Sequence, residues 1–249
     1  MSRDKQSQRT EEEGHLCQKD CFEYRSLVGA LLYLANLTRV DICYAVLQLS
    51  RGMARPNSTD LVAEKRVLRY LRGTTNFKLK YGSQRQSATQ AVTVTGYSDA
   101  TWGSLDDARS VTGYLVYVGT SLVTFGSRIQ RCVSRSSTEA ELIAGSYAAR
   151  EMTLLQKCLG ELGISVCRPS TLYIDNLAAV NILTANAGSN GARHIVLAIH
   201  GTRESVKGGH VKPVHVRSGD QLSDGLTKHL SKPQFTHIIS RIIQPAWSR

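Results

Sequence analysis

Apolar residues recur at helical spacing through the first third of the chain and change to strand-like alternation near residue 92. From Phe22 to Ala35, Leu27, Leu31 and Leu34 share one face. From Asp41 onward, Ile42, Ala45, Val46 and Leu49 repeat the amphipathic pattern. Pro56-Asn57-Ser58 interrupts it, and Ser58 or Thr59 is placed to cap a third helix running through Val62, Val67, Leu68 and Leu71 to Gly73. Residues 1–20 are polar and charged and are expected to be disordered. The polar stretch SQRQSATQ at 83–90 is the expected domain boundary.

Beyond that joint the period shortens. Val92 to Ser98 alternates, Val111 to Gly119 carries Tyr114, Val116 and Val118, and Leu122 to Ser127 follows a Gly119-Thr120-Ser121 turn. These three runs predict an antiparallel meander. Ser136 or Ser137 then caps a long helix over 138–162, with capping-box chemistry in the residues that follow. Thr171 to Ile174 predicts a short buried strand and Asn176 to Ala185 a helix. Gly188-Ser189-Asn190-Gly191 predicts a loop, 193–207 a helix and His210 to Val216 a strand, and Asp220 opens a last helix. The order β-β-β-α-β-α-α-β-α predicts an α/β class, with a mixed five-stranded sheet flanked by helices and preceded by a small helical segment.

Charge adds a direction. The 249 residues carry 31 Lys and Arg against 20 Asp and Glu, a formal charge of +11, which suits a polyanionic partner. Between Lys65 and Arg85 there are seven cations (Lys65, Arg66, Arg69, Arg72, Lys78, Lys80, Arg85) and no acid. A solvated face usually mixes signs, so this stretch reads as a phosphate-contacting surface. Six cysteines lack zinc-finger spacing; Cys43 and Cys158 fall in apolar helical runs and are expected in the core. Reduced cysteines, a polar start and no apolar run of membrane-spanning length predict an intracellular chain, in a cytoplasmic particle or the nucleus, with no membrane partner.

Against this basic background four acids stand in distinctive settings. Asp99 closes the first strand, Glu141 lies in the first turn of the long helix, Asp175 closes the fourth strand, and Asp224 lies in the last helix. Taken singly each has an ordinary explanation: a turn, a favourable helix dipole, an N-cap, a surface charge. On one scaffold all four can converge at one end of the sheet, where open α/β sheets bind ligands. Carboxylates so gathered suit divalent metal and phosphodiester chemistry.

The segments around these acids carry a resemblance. Gly96-Tyr97-Ser98-Asp99-Ala100-Thr101-Trp102 resembles the GYSDADWAG segment of the ribonuclease H domain of Ty1/copia-type retrotransposon Pol polyproteins. Ser110-Val111-Thr112-Gly113-Tyr114 resembles its STSGY, and Ser136-Ser137-Thr138-Glu139-Ala140-Glu141 matches SSTEAE. Leu172-Tyr173-Ile174-Asp175-Asn176 resembles LYCDN, and Asp220 through Lys228 resembles DQLADILTK. Tyr24 to Leu34 and Lys65 to Thr74 resemble the segment joining polymerase palm to ribonuclease H in the same polyproteins.

The resemblance implies a ribonuclease H-like domain over 91–230. It implies a preceding segment, 21–82, from the end of a reverse transcriptase, with a C-terminal tail over 231–249. It implies hydrolysis of the RNA strand of RNA–DNA hybrids by two Mg²⁺ ions, for which Mn²⁺ could substitute, held by Asp99, Glu141, Asp175 and Asp224. Glu139 is the alternative to Glu141. The expected partners are the hybrid and the rest of a reverse transcriptase. Ser98 and Asn176 are candidate donors to the 2′-OH that separates RNA from DNA. His194 and His215 are candidates for proton transfer or phosphate binding.

Departures from the family pattern matter. The polymerase's paired aspartates are absent, so no polymerisation is expected of this chain alone. In the helix from Arg193 to Glu204, Val196, Ala198 and Gly201 replace the family's Asp, Arg and Phe. Gly201 weakens the helix by about 1 kcal/mol relative to Ala. The alternative reading is a catalytically inactive hybrid-binding or structural remnant. An integrase-type enzyme of related fold is disfavoured, because such sites place their Glu last.

Overall fold

The structure, a computed structural model, describes residues 16–82, 91–185 and 193–245, with the backbone alone at 193–198 and 244–245. Most of the expected disordered start, the joint at 83–90 with Arg85, the loop at 188–191 and the His194 side chain lie outside the described residues. The chain divides into two compact units, one made of the residues up to Lys78 together with those from Pro245 and the other spanning Leu79–Gln244.

In the first unit, α1 (Gln18–Leu37) buries Tyr24, Val28, Leu31 and Ala35 along one stripe. The Tyr24 hydroxyl donates to the Leu49 carbonyl at 2.7 Å, tying α1 to α2 (Cys43–Arg51). Asp41, which opens the second amphipathic run, is buried in a 3-10 turn, Val40–Ile42. The Arg39 guanidinium grips it through Nε at 2.9 Å and Nη2 at 2.7 Å, and the Tyr70 hydroxyl donates to it at 2.7 Å. A buried carboxylate is tolerable only with such partners. Tyr70 belongs to α3 (Ser58–Gly73), which is capped by Asn57 rather than Ser58 or Thr59. Asn57 and Asp60 close a reciprocal capping box. Cys43 is buried as expected, but Cys158 is exposed, because its helix turns that face to solvent.

The second unit holds one five-stranded sheet. Its strands are β1 (Val94–Thr101), β2 (Val111–Val118), β3 (Ser121–Ile129), β4 (Ser170–Ile174) and β5 (Val211–His215), in spatial order β3-β2-β1-β4-β5. β1–β2 and β2–β3 pair antiparallel, while β1–β4 and β4–β5 pair parallel. The parallel connections need crossovers, supplied by α4 (Ser137–Glu161) before β4 and by α5 (Leu177–Thr184) and α6 (Arg193–Lys207) before β5. Val94, Val116, Leu172 and Ile174 meet Leu142, Ala148, Ala149 and Met152 of α4 in the core. Small residues let α4 lie close to the sheet: a Cβ on Gly145 would stand 3.0 Å from the Ile174 methyl.

The last expected helix forms later than the pattern suggested. Residues 218–226 make two 3-10 turns, Ser218–Asp220 and Leu222–Leu226, and α7 (Lys232–Ile242) follows, inside the segment expected to be a tail. Pro233 separates the two segments. Proline has no N–H and clashes with the preceding turn, so it sits in the first turn of a helix and not in its interior. A single helix therefore cannot run from Asp220 through 233. Ser231 and Gln234 form a capping box that starts α7 instead.

Candidate metal centre

The strand pairings bring the acids together. Asp99 stands inside the end of β1, in register with Gly113 of β2. Asp175 is the first residue after β4, the parallel neighbour of β1. Asp224 arrives on the turn Leu222–Leu226, which is buried throughout. That turn lies against β2 where Gly113 has no side chain: a Cβ there would meet Thr227, Leu226 and the Ser223 carbonyl at 2.7–2.9 Å. One carboxylate oxygen from each of Asp99, Asp175 and Asp224 lies within 4.8 Å of the others.

Glu141 approaches the group from α4. Ser136, the N-cap, accepts from the Glu139 N–H at 3.1 Å, and the Glu139 carboxylate folds back to accept from the Arg135 N–H. Glu139 is thus committed to starting the helix. Glu141 is buried; its Oε1 accepts from the Ala100 N–H at 3.0 Å and its Oε2 has no hydrogen-bond partner. Of the two alternatives, Glu141 is the one beside Asp99.

Clustered acids resist ionisation. Burial pushes the Glu141 carboxyl up to about 9, reinforced by the negative charges of Asp99 and Asp175. Burial, then Asp224, raises Asp99; burial, then Asp99, raises Asp175; and burial raises Asp224 against the pull of Lys228. Around them are the Thr227 hydroxyl, which donates to Asp99 Oδ2, and the Ser218 hydroxyl, 3.3 Å from Asp175 Oδ2. His215 stands exposed at the end of β5, its Nε2 3.1 Å from the Asp175 carbonyl. The donor set is all oxygen, two of its side chains are at least nine-tenths buried, and the buried Oε2 of Glu141 has no hydrogen-bond partner. It fits a hard divalent cation such as Mg²⁺.

Other sequence candidates fall differently. Ser98 does not face solvent: it is 0% exposed, and its hydroxyl lies on the α4 side of the sheet near Gly145. Its alternation with Asp99 turns it to the opposite face, so it cannot reach a duplex. Asn176 uses its side-chain oxygen as the α5 N-cap, accepting from the Ala179 N–H at 2.9 Å. Lys65, Arg66, Arg69 and Arg72 are exposed on α3, and Lys78 and Lys80 are exposed beyond it. Two participants escaped the sequence reading. Lys228 reaches Asp224, and Gln221 anchors the turn; the spacing Asp224 to Lys228, an acid and a base four apart, was the available signal for the first.

The strand order and mixed pairing make this sheet ribonuclease H-like. No family model matches the chain. It is 41% identical over 226 residues to the retrovirus-related Pol polyprotein from transposon RE1 of Arabidopsis thaliana, covering 90% of this chain and 15% of that protein. It is 33% identical over 226 residues to the Pol polyprotein from transposon TNT 1-94 of Nicotiana tabacum, covering 90% and 16%. Among solved structures it is similar to ribonuclease H1 from Halobacterium salinarum, with TM-score 0.38 and 16% identity, over 54% of this chain and 93% of that one. The chain is homologous to one segment of the retrovirus-related Pol polyproteins of copia-type transposons. It spans about 15% of the length of the first of these relatives. Among the described residues, no helix is long and apolar enough to cross a membrane.

Proposed function

We propose that this chain hydrolyses the RNA strand of RNA–DNA hybrids, with Asp99, Glu141, Asp175 and Asp224 holding divalent metal. The observation that carries this reading is the convergence of three carboxylates within 4.8 Å beside the orphaned, buried Oε2 of Glu141. Divalent ions bound there would activate a water and stabilise the leaving 3′ oxygen. The protein's part is placement. β1 and β4 fix Asp99 and Asp175 side by side, and the Ala100 N–H holds Glu141 Oε1 while Oε2 is left without a hydrogen-bond partner. His215, exposed beside Asp175, is positioned to bind phosphate or carry a proton. The cap leaves the amide N–H groups of Asn176 as the remaining donors to a 2′-OH. The exposed cations of α3, with Lys78 and Lys80, supply phosphate contacts. The first unit is read as the end of a reverse transcriptase, whose remainder is the further partner.

The test is incubation of the purified chain with end-labelled RNA–DNA hybrid in Mg²⁺, in Mn²⁺ and in EDTA, beside Asp175→Asn. RNA-strand cleavage that requires the metal and disappears in the variant supports the reading. Metal-independent cleavage, or hybrid binding with no cleavage under any condition, overturns it, the second outcome in favour of a binding remnant.

A further inference from the structure

Lys228 is the one cation seated among these acids in the described residues. It follows Asp224 by four positions, and its Nζ lies 2.9 Å from Asp224 Oδ1 and 4.0 Å from Asp99 Oδ2. Its side chain is 39% exposed, so the stem touches solvent while the ammonium turns inward. Burial disfavours its charge, but Asp99, Asp224 and Asp175 outweigh that and hold it protonated. A Mg²⁺ ion sits about 2.0–2.1 Å from its ligand oxygens. An ion bound by Asp99 and Asp224 therefore needs the same oxygens the ammonium faces, and two cations that close repel strongly where solvent is thin.

We propose that Lys228 is a built-in counter-ion that competes with divalent metal for Asp224 and Asp99. The ammonium and the metal are alternative partners of these oxygens, and metal binding swings the lysine outward along its flexible stem. The residue thereby lowers metal affinity and neutralises the clustered acids of the metal-free chain. The inference rests on the metal site proposed above.

The experiment measures Mn²⁺ binding to the full chain by paramagnetic resonance of the free ion, with no nucleic acid present. Wild type is compared with Lys228→Met, which keeps length and loses charge, and with Lys228→Arg, which keeps charge. The expected result is Mn²⁺ affinity about tenfold tighter in Lys228→Met and near wild type in Lys228→Arg. In EDTA, Lys228→Met melts below wild type, and saturating Mn²⁺ closes that gap. Saturable binding of equal or weaker affinity in Lys228→Met overturns the counter-ion role and leaves the metal site standing. No saturable binding in any of the three proteins overturns the metal site, and the inference falls with it. If Lys228→Met does not fold, Lys228→Gln takes its place: a tighter site there supports the counter-ion role, and an unchanged one overturns it.

Discussion

The Gln221 side-chain amide donates to the Ser98 carbonyl at 2.9 Å, joining residues 123 positions apart. Both are fully buried. The same side chain accepts through Oε1 from the Ser223 hydroxyl at 2.8 Å. One glutamine thus ties the backbone beside Asp99 to the turn that carries Asp224. The last acid reaches the first through this bond and through the close approach at Gly113.

Replacing Gln221 by Leu keeps bulk and removes these hydrogen bonds together with the one that Oε1 accepts from the Ser223 N–H at 3.4 Å. Each buried group left unsatisfied costs about 1–3 kcal/mol, so the variant is expected to unfold at clearly lower urea than wild type. Its Mn²⁺ affinity is expected to fall as well, because Asp224 loses its anchor. Gln234→Leu, which disturbs only an exposed cap, serves as control and costs about 1 kcal/mol or less. Equal midpoints for the two variants would show that the Gln221 bond does not hold the turn.

The two glutamates at the start of α4 separate cleanly. Glu141→Gln is expected to abolish metal-dependent cleavage of hybrid with little loss of folding, since the amide fills the same space. Glu139→Gln weakens the hydrogen bond to the Arg135 N–H and the dipole interaction, for about 1 kcal/mol or less, with cleavage retained. Thermal melts and cleavage rates on both variants check this. Loss of cleavage in Glu139→Gln alone would reverse the assignment.

Much of the fold is legible in the sequence because strand and helix periods are local properties. The alternation at 92–98 and the Ser136 cap announce β1 and α4 without tertiary information. Asp99, Glu141 and Asp175 can be placed at one end of the sheet because each abuts a regular element. Apolar spacing continues past Asp224 and suggests a helix there, although Pro233 forbids a continuous one. Ser98 differs from its expected role by one position of the pleat, which decides the face. Gln221 acts through a contact formed only when distant segments meet, and no local period encodes it; Lys228 reaches Asp99 in the same way, although its pairing with Asp224 four positions back is local.

The metal-free protein is expected to lose stability as pH rises. Glu141 has its carboxyl pushed from the ordinary 4.5 to about 9, and Asp99, Asp175 and Asp224 shift in the same direction. Between those two values the folded chain holds protons that the unfolded chain has released. Stability is therefore full below the unfolded value and declines as pH climbs through the folded one. Lys228 stays charged across this window and softens the slope without reversing it. Melting in EDTA should drop by several degrees from the acid to the alkaline end. Saturating Mg²⁺ should flatten the drop, because a bound cation favours ionised carboxylates. A melting temperature that rises with pH in EDTA would contradict the clustering.

The basic helix gives the last expectation. Lys65, Arg69 and Arg72 recur at positions i, i+4 and i+7 of α3, with Arg66 beside them, and all four are exposed. The helix is held by its Asn57–Asp60 box and by Tyr70 on the buried Arg39–Asp41 pair, so these cations sit on a fixed surface. Phosphate contacts release counter-ions, and hybrid affinity should fall steeply with salt. Changing the four together to Ser should flatten the logarithmic salt slope by up to about 0.9 for each phosphate no longer neutralised. The cleavage rate at saturating hybrid should change little, because none of the four is among the acids of the metal centre. Binding titrations at several salt concentrations decide the matter. An unchanged slope in the quadruple variant means that these cations are merely solvated, and α3 is then a packing element of the first unit.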